Sequence, residues 1–288
     1  MDKYTAFKSL KSNKNTSIKN YFSTKENIVM GILNVTNDSF YDGGKYVEEI
    51  QIINQVKKML DEGAKIIDVG AQSSRPGASL SKEEDELKKL LPIIKLLKSN
   101  FKNIILSIDT YWSKVAEEAV KAGASIINDI SAGEIDKKMF NTIAKLDVPY
   151  ILMHMKDIPK NMQTDPNYDN VTECIFNFFK EKLKILENMG VNNIALDPGF
   201  GFGKTIEHNY ILLNEFKKFK KLNKPLLVGL SRKSMIYKPL KIKPKNALNG
   251  TTILNTIALK NGANILRVHD VKEAVECIKI SKLAQKNN

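Results

Sequence analysis

The residues that could do chemistry in this chain share one setting. Asn34, Asp68, Asp109, Asn128, His154, Asp197, the pair Ser231 and Lys233, and the pair Arg267 and His269 each close a short apolar run. Two carboxylates and an amide, Asp109, Asp197 and Asn128, can read a heterocycle with an amidine edge, accepting its N–H groups and returning one. In a dry pocket such bonds are charge-assisted. Oxygen ligation of Mg2+ is the rival use of this set; the chain's three histidines are too few for a zinc cluster. Capping a helix or satisfying a loop amide is the plain alternative for any one residue, and it fits poorly when nearly every run ends this way.

Arg267 and His269 lie two apart on a strand, so both side chains share a face and together suit a phosphate group. Ser231-Arg-Lys-Ser234 should open a short helix whose hydroxyls and free N–H groups favour a carboxylate or phosphate, with Lys233 as an inward donor; a solvated basic turn is the alternative. Asp197-Pro-Gly-Phe-Gly-Phe-Gly-Lys204 alternates glycines, which let backbone approach a ligand, with phenylalanines that offer apolar walls. It lacks the Gly-Lys-Ser/Thr ending of a Walker A loop, and a tight turn would use the same residues. The stretch from Met30 to Gly44 runs from a strand into a loop rich in Asn, Asp and Ser, delivering Asn34 to an open end before turning at Gly43-Gly44. Ser73-Ser-Arg-Pro-Gly77 is another polar loop. His154 stays open between a structural and a functional role, and His208 reads as a surface residue of a helix.

These side chains need a scaffold that gathers many strand ends. Strands are expected at 28–35, 65–70, 103–109, 125–130, 150–155, 193–197, 225–230 and 265–269, each rich in Ile, Val and Leu as in strands buried on both faces. Helices are expected at 46–62, 112–122, 137–146, 170–189, 205–221, 246–261 and 271–284, with one more opened by a capping box of Ser81 and Glu84. An internal echo supports the count. Gly63-Ala-Lys-Ile-Ile-Asp68, Gly123-Ala-Ser-Ile-Ile-Asn128 and Gly262-Ala-Asn-Ile-Leu-Arg267 are each a glycine helix stop followed by a strand with a polar end, and Met189 to Asp197 is a looser copy. Eight such units in about 250 residues match a single-domain α/β (β/α)8 TIM barrel over 28–288, preceded by a polar N-terminal tail and covering segment at 1–27. A doubly wound open sheet is the runner-up; it concentrates its site at one switch point and leaves so many polar strand ends unexplained.

Composition narrows the function. With 42% hydrophobic residues in 288, the chain can bury a sizeable core. No apolar run reaches the ~18 residues of a membrane span, and no apolar segment of a secretory signal opens the chain. Cys174 and Cys277 lie in expected helices without metal-ligand spacing, which suits a reducing cytoplasm. The net charge of +13 raises nucleic acid or a membrane surface as partners. Yet only Arg75, Arg232 and Arg267 are arginines; the other 42 basic residues are lysines spread over every helix, without the aromatic interleaving of a single-strand groove. Arginine so rarely used points to places that need a planar bidentate donor. The basic, acid-poor tail is faintly like a transit peptide but carries no arginine.

All three arginines and the strand-end residues coincide with one family. Over about residues 28–280 the chain resembles dihydropteroate synthases, through MGILNVTNDSFYDGG, DVGAQSSRPGA, SIDT, INDIS, MHM, DPGFGFGK, GLSRKSMI and LRVHDV in order. The resemblance implies a (β/α)8 barrel, usually homodimeric, that joins 4-aminobenzoate to 6-hydroxymethyl-7,8-dihydropterin diphosphate with loss of diphosphate. It implies pterin contacts from Asp109, Asn128, Asp197 and Lys233, with Arg267 on the pterin face and, with His269, on the diphosphate. Asn34 would ligate Mg2+ on the diphosphate. Ser74, Arg75, Pro76, Phe202 and Ser234 would form the 4-aminobenzoate site. The family's favoured route is dissociative, which needs no protein nucleophile.

Some positions depart from the family. Asn37 stands where proline is usual, Gln72 where glutamate is, Ser74 where threonine is, and Asp157 and Tyr237 where glycine is common. None is a pterin contact. Two rivals remain: a pterin-binding methyltransferase of related barrel fold, which gives no reason for the Ser-Ser-Arg-Pro loop or the Ser-Arg-Lys-Ser helix start, and a nucleic-acid-binding protein, which rests on net charge alone.

Overall fold

The computed structural model describes Phe22 and residues 26–35, 45–72, 77–157, 161–164 and 166–285. Strands and helices alternate through it: β1 (Ile28–Asn34), α1 (Lys45–Asp61), β2 (Ile66–Gly70), α2 (Glu83–Asn100), β3 (Leu106–Asp109), α3 (Ser113–Ala122), β4 (Ile126–Asp129), α4 (Met139–Leu146), β5 (Tyr150–Met153), α5 (Val171–Asn188), β6 (Ile194–Asp197), α6 (Ile206–Glu215), β7 (Leu227–Val228), α7 (Ser234–Tyr237), α8 (Leu248–Lys260), β8 (Ile265–Val268) and α9 (Val271–Gln285). The strands pair in parallel in the order 6-5-4-3-2-1-8-7. A bridge between Leu196 and Leu226 joins the two edges, and the Leu196 N–H donates to Pro225 O at 2.8 Å. The sheet therefore closes into the expected barrel, and the open-sheet alternative falls.

All eight expected strands form, each shorter by one to several residues at its ends. The helix expected at 205–221 is a correction: α6 stops at Glu215 and a 3-10 segment, Phe216–Leu222, completes it. The Ser81–Glu84 capping box is another. α2 begins at Glu83 with Lys82 at the cap and no side-chain cap bond. Ser81 instead pairs through its backbone, donating to the Tyr111 hydroxyl at 3.1 Å and accepting from Trp112 Nε1 at 2.9 Å. His208 is also more than a surface residue. It sits third in α6, where its Nδ1 and the Thr205 hydroxyl cap each other's backbone N–H.

Strand alternation explains why the strands end in polar residues. Met30, Ile66, Ile126, Ile151, Ala195, Leu227 and Ile265 form one buried cluster with Ile28 and Phe22, filling the barrel near its N-terminal end. Two residues further along, on the same face, stand Asp68 after Ile66, Asn128 after Ile126, Asp197 after Ala195 and Arg267 after Ile265. The apolar layer thus makes a floor and the next layer a polar pocket. The outward strand faces meet the helices in the larger apolar cluster that includes Ile67, Val69, Leu106, Ile127, Leu152, Leu196 and Leu266. Phe22, 3% exposed, belongs to the floor, and Asn27 Nδ2 donates to Ala263 O at 2.6 Å nearby. The rest of the expected covering segment, bar Glu26, lies outside the described residues.

Candidate active site

Asp109 closes β3 and lies in register with Asn128 on β4, while Met153 on β5 faces Asp197 on β6. All three polar side chains are buried. Between them reaches Arg267. Its Nε donates to Asp68 Oδ2 at 2.6 Å and its Nη2 to Asp109 Oδ2 at 2.7 Å. Asn128 Nδ2 donates to the same Asp68 oxygen at 3.1 Å. Asp68, fully buried on β2, is therefore the hub that orients both Arg267 and Asn128. The sequence marks it only as a strand-end residue. The second oxygens, Asp68 Oδ1 and Asp109 Oδ1, are buried without a partner among the described residues. Buried acceptors left open cost free energy unless a donor arrives, so the pocket is built to receive N–H groups.

The charges are tuned by burial. It pushes the Asp109 carboxyl up to about 7, with Arg267 opposing. Asp197 is likewise raised by burial, with Lys233 opposing. Burial pushes the Lys233 ammonium down to about 8, with Asp197 opposing. Burial also works against the Arg267 charge, but Asp68 and Asp109 outweigh it and hold the guanidinium above its ordinary value.

Loops after β6, β7 and β8 complete the mouth. The loop at 198–203 carries three glycines in the left-handed region, Gly199, Gly201 and Gly203, at φ 69°, 84° and 64°. A Cβ on Gly199 would stand 2.0 Å from His154 O, so only glycine fits there. Lys233, at the cap of α7, donates to Phe200 O and sits 4.5 Å from the Phe202 ring centre. Ser234 is the first residue of α7. Arg232, in the left-handed region at φ 57°, grips Asp270 bidentately at 2.9 and 2.7 Å and tethers the two loops. His269 stands at the exposed rim, with Ser231 Oγ 2.9 Å from its Nδ1. The residue is exposed at its edge, but partial enclosure of the ring, helped by Arg267, pushes this imidazole down to about 4.

The strand-end residues thus converge, with a division of labour the sequence did not show. Asp129, one position after Asn128, faces the other way and collects Ser131, Gly133 and Tyr150 as donors, all at 2.7 Å. His154 points to the buried Lys204 rather than into the pocket. Asn34 lies exposed at the end of β1. Ser74, Arg75, Pro76 and Asn37 lie outside the described residues. Gln72 has both amide atoms buried and unpaired among the described residues. Asp157 adopts φ 64°, the left-handed conformation that explains a glycine preference there. Cys174 is exposed and Cys277 buried; both are free.

Fold and pocket together define a (β/α)8 enzyme that reads a flat, nitrogen-rich ligand at the C-terminal mouth of its barrel. Residues 30–269 match the family model for pterin binding enzymes. A dihydropteroate synthase of Clostridium beijerinckii is 42% identical over 258 residues, covering 88% of this chain and 93% of that one. The crystal structure of Yersinia pestis dihydropteroate synthase with a sulfonamide drug complex superposes with a TM-score of 0.84 at 41% identity, over 91% of this chain and 95% of that one. The Xanthomonas albilineans enzyme with 4-aminobenzoic acid does so at 0.82 and 35%, over 90% and 93%. The chain belongs to the pterin binding enzymes, as a member of their dihydropteroate synthase family of transferases.

Proposed function

We propose that this chain condenses 4-aminobenzoate with 6-hydroxymethyl-7,8-dihydropterin diphosphate to give 7,8-dihydropteroate and diphosphate, a step of folate biosynthesis. The observation that carries the reading is the pair of open oxygens, Asp68 Oδ1 and Asp109 Oδ1, set beside Asn128 and Asp197 on carboxylates whose Oδ2 atoms Arg267 bridges. The pterin's ring N–H and amino groups donate to Asp109 and Asp197, and Asn128 supplies the complementary amide. Lys233, after β7 and beside Asp197, donates to the ring. Arg267 covers the pterin face and, with His269, receives the departing diphosphate.

The proposed route is dissociative. The bond from the methylene carbon to the diphosphate oxygen breaks first, and the electron pair leaves with the diphosphate. Asp109 and Asp197 stabilise the positive charge left on the pterin, an electrostatic role fixed before the reaction starts. The amine of 4-aminobenzoate then attacks the methylene carbon and gives up a proton. Phe202, Ser234 and the loop residues Ser74, Arg75 and Pro76 are the proposed walls of its site. Mg2+ is the proposed cofactor; an ion that arrives on diphosphate oxygens needs few protein ligands, and Asn34 offers an amide oxygen at the exposed end of β1. When bound, the ion neutralises the leaving anion.

A second copy of the chain is the proposed partner. Four large apolar side chains, Ile253 and Ile257 on α8 and Ile280 and Leu283 on α9, are 37–66% exposed on two adjacent helices. The proposed location is the cytoplasm, where free cysteines persist; no described helix is long and apolar enough to cross a membrane.

The test is release of diphosphate with and without 4-aminobenzoate in Mg2+. Asp197→Asn should weaken pterin binding, whereas Arg75→Ala should raise the KM for 4-aminobenzoate. Equal loss of pterin affinity in both variants would contradict the division of the site.

A further inference from the structure

Lys204 ends the glycine-rich motif and is 3% exposed. Its ammonium meets three acceptors: Gly199 O at 2.9 Å, Phe202 O at 3.0 Å and His154 Nδ1 at 3.1 Å. Burial pushes the Lys204 ammonium down to about 7, with Asp197 opposing, and in its charged form its three N–H match the three acceptors. Burial, with the Lys204 charge adding to it, holds His154 well below its usual pKa, so the ring is neutral, and the Lys204 donor at 3.1 Å matches the tautomer that leaves Nδ1 to accept. The far end of this strut is firm. The His154 backbone N–H donates to Asp197 O at 2.9 Å and extends the β5–β6 ladder.

The loop it grips has little rigidity of its own, since glycine leaves the backbone free. Gln163 takes the Gly201 carbonyl and the Tyr168 hydroxyl that of Gly203, and two lysines take the carbonyls on either side of Gly201. Lys204 takes those of Gly199 and Phe202 from behind, and Lys233 takes that of Phe200 from the pocket side. Between them the Phe202 ring packs against the small apolar cluster of Tyr111, Ile130 and Met153 at the mouth. Asp197 is held chiefly by its strand register; the Gly199 N–H, which donates to its Oδ1 at 2.8 Å, and the Lys204 charge link it more weakly to the same brace.

We propose that Lys204, braced by His154, is a positioning residue for the second substrate: it fixes the height of the Phe202 wall over Lys233 and so shapes the entry of the aromatic amine. This rests on the reading that Phe202 borders the 4-aminobenzoate site. Lys204 touches neither substrate; it acts through the loop.

The test compares Lys204→Met, His154→Leu and His154→Asn, reading the KM for 4-aminobenzoate against calorimetric binding of the pterin diphosphate alone. Lys204→Met should raise the amine KM about tenfold or more, a loss in the range of one or two buried hydrogen bonds, and weaken pterin binding by no more than about threefold. His154→Leu should move the same quantity less. His154→Asn should restore it, because the amide oxygen can stand where Nδ1 accepts. Equal weakening of both substrates, or an unchanged amine KM in folded Lys204→Met, would overturn the proposal. Should Lys204→Met fail to fold, the two His154 variants decide: a higher amine KM for Leu than for Asn supports the strut, and identical values overturn it. A wild-type chain that releases no diphosphate would sink the functional reading itself, a result distinct from a wild-type enzyme whose variants show no split.

Discussion

Arg267 is held between two carboxylates, and most of the pocket's behaviour follows from that sandwich. Removing the Asp68 charge leaves the guanidinium with one ionic partner and lets Asn128 turn. Asp68→Asn should therefore weaken pterin diphosphate binding by about tenfold and cost ~1.5–3 kcal/mol of stability, the range for hydrogen bonds to charged groups. Calorimetry and a denaturant titration check the two halves; unchanged binding would remove Asp68 from the machinery. His269 offers a pH test. Its pKa is about 4 in the free protein against about 6.5 for an ordinary histidine. Between those values the unfolded chain holds a proton that the folded one lacks, so this group's effect is to lower stability as pH falls from 6.5 towards 4. An anion beside it reverses the local field. Diphosphate binding near pH 6 should take up protons, seen as a buffer-dependent heat that His269→Ala abolishes. At this scale the sequence shows which residues end strands but not which of them meet. Asp68 and Arg267 are 199 positions apart, and only the pairing of β1 with both β2 and β8 brings them into contact. Lys204 was hidden for a related reason: a lysine among 42 carries no signal until its burial is known.

Between residues and molecule stand the loops, and the one after β6 has the least tolerance. Gly199→Ala puts a methyl group 2.0 Å from His154 O at φ 69°. That change should both destabilise the protein, by several kcal/mol through backbone strain and displacement, and weaken pterin binding, because the Gly199 N–H also orients Asp197. Gly190, at φ 81° after α5, has nothing within 4 Å of an added Cβ. Gly190→Ala should cost only about 1–2 kcal/mol, the ordinary price of a left-handed alanine, with pterin binding intact. Thermal melts and calorimetry on the pair separate strain from function, and equal effects would refute the assigned role of the loop. Elements themselves were largely legible, since parallel strands buried on both faces write themselves as apolar runs and glycine marks the helix stops. What failed were local patterns overruled by tertiary partners. Ser81 has the spacing of a cap, but Tyr111 and Trp112 claim its backbone. The helical pattern past Glu215 tightens into a 3-10 segment as Phe216 and Phe219 turn into the core.

For the whole molecule, charge and apolar surface point in different directions. The +13 net charge is spread as lysines over the helices, which favours solubility and repulsion between copies. Scattered exposed apolar residues need no explanation, and Ile50, Ile185 and Leu240 are of that kind. Ile253, Ile257, Ile280 and Leu283 differ, because α8 and α9 pack side by side and Ile280 lines the groove between them. In a two-fold contact each of these side chains is used twice, and so is each substitution. Ile280→Glu would place two carboxylates in one apolar seam and should convert dimer to monomer in sedimentation velocity, while Leu240→Glu, elsewhere on the surface, should not. Asp68, Asp109, Asn128, Asp197, Lys233 and Arg267 come from a single chain, so the monomeric variant should keep pterin affinity within about twofold, a difference of ~0.4 kcal/mol. A wild-type chain that sediments as a monomer at the concentrations used for assay would end the proposed pairing. A dimer untouched by Ile280→Glu would move the interface to another face.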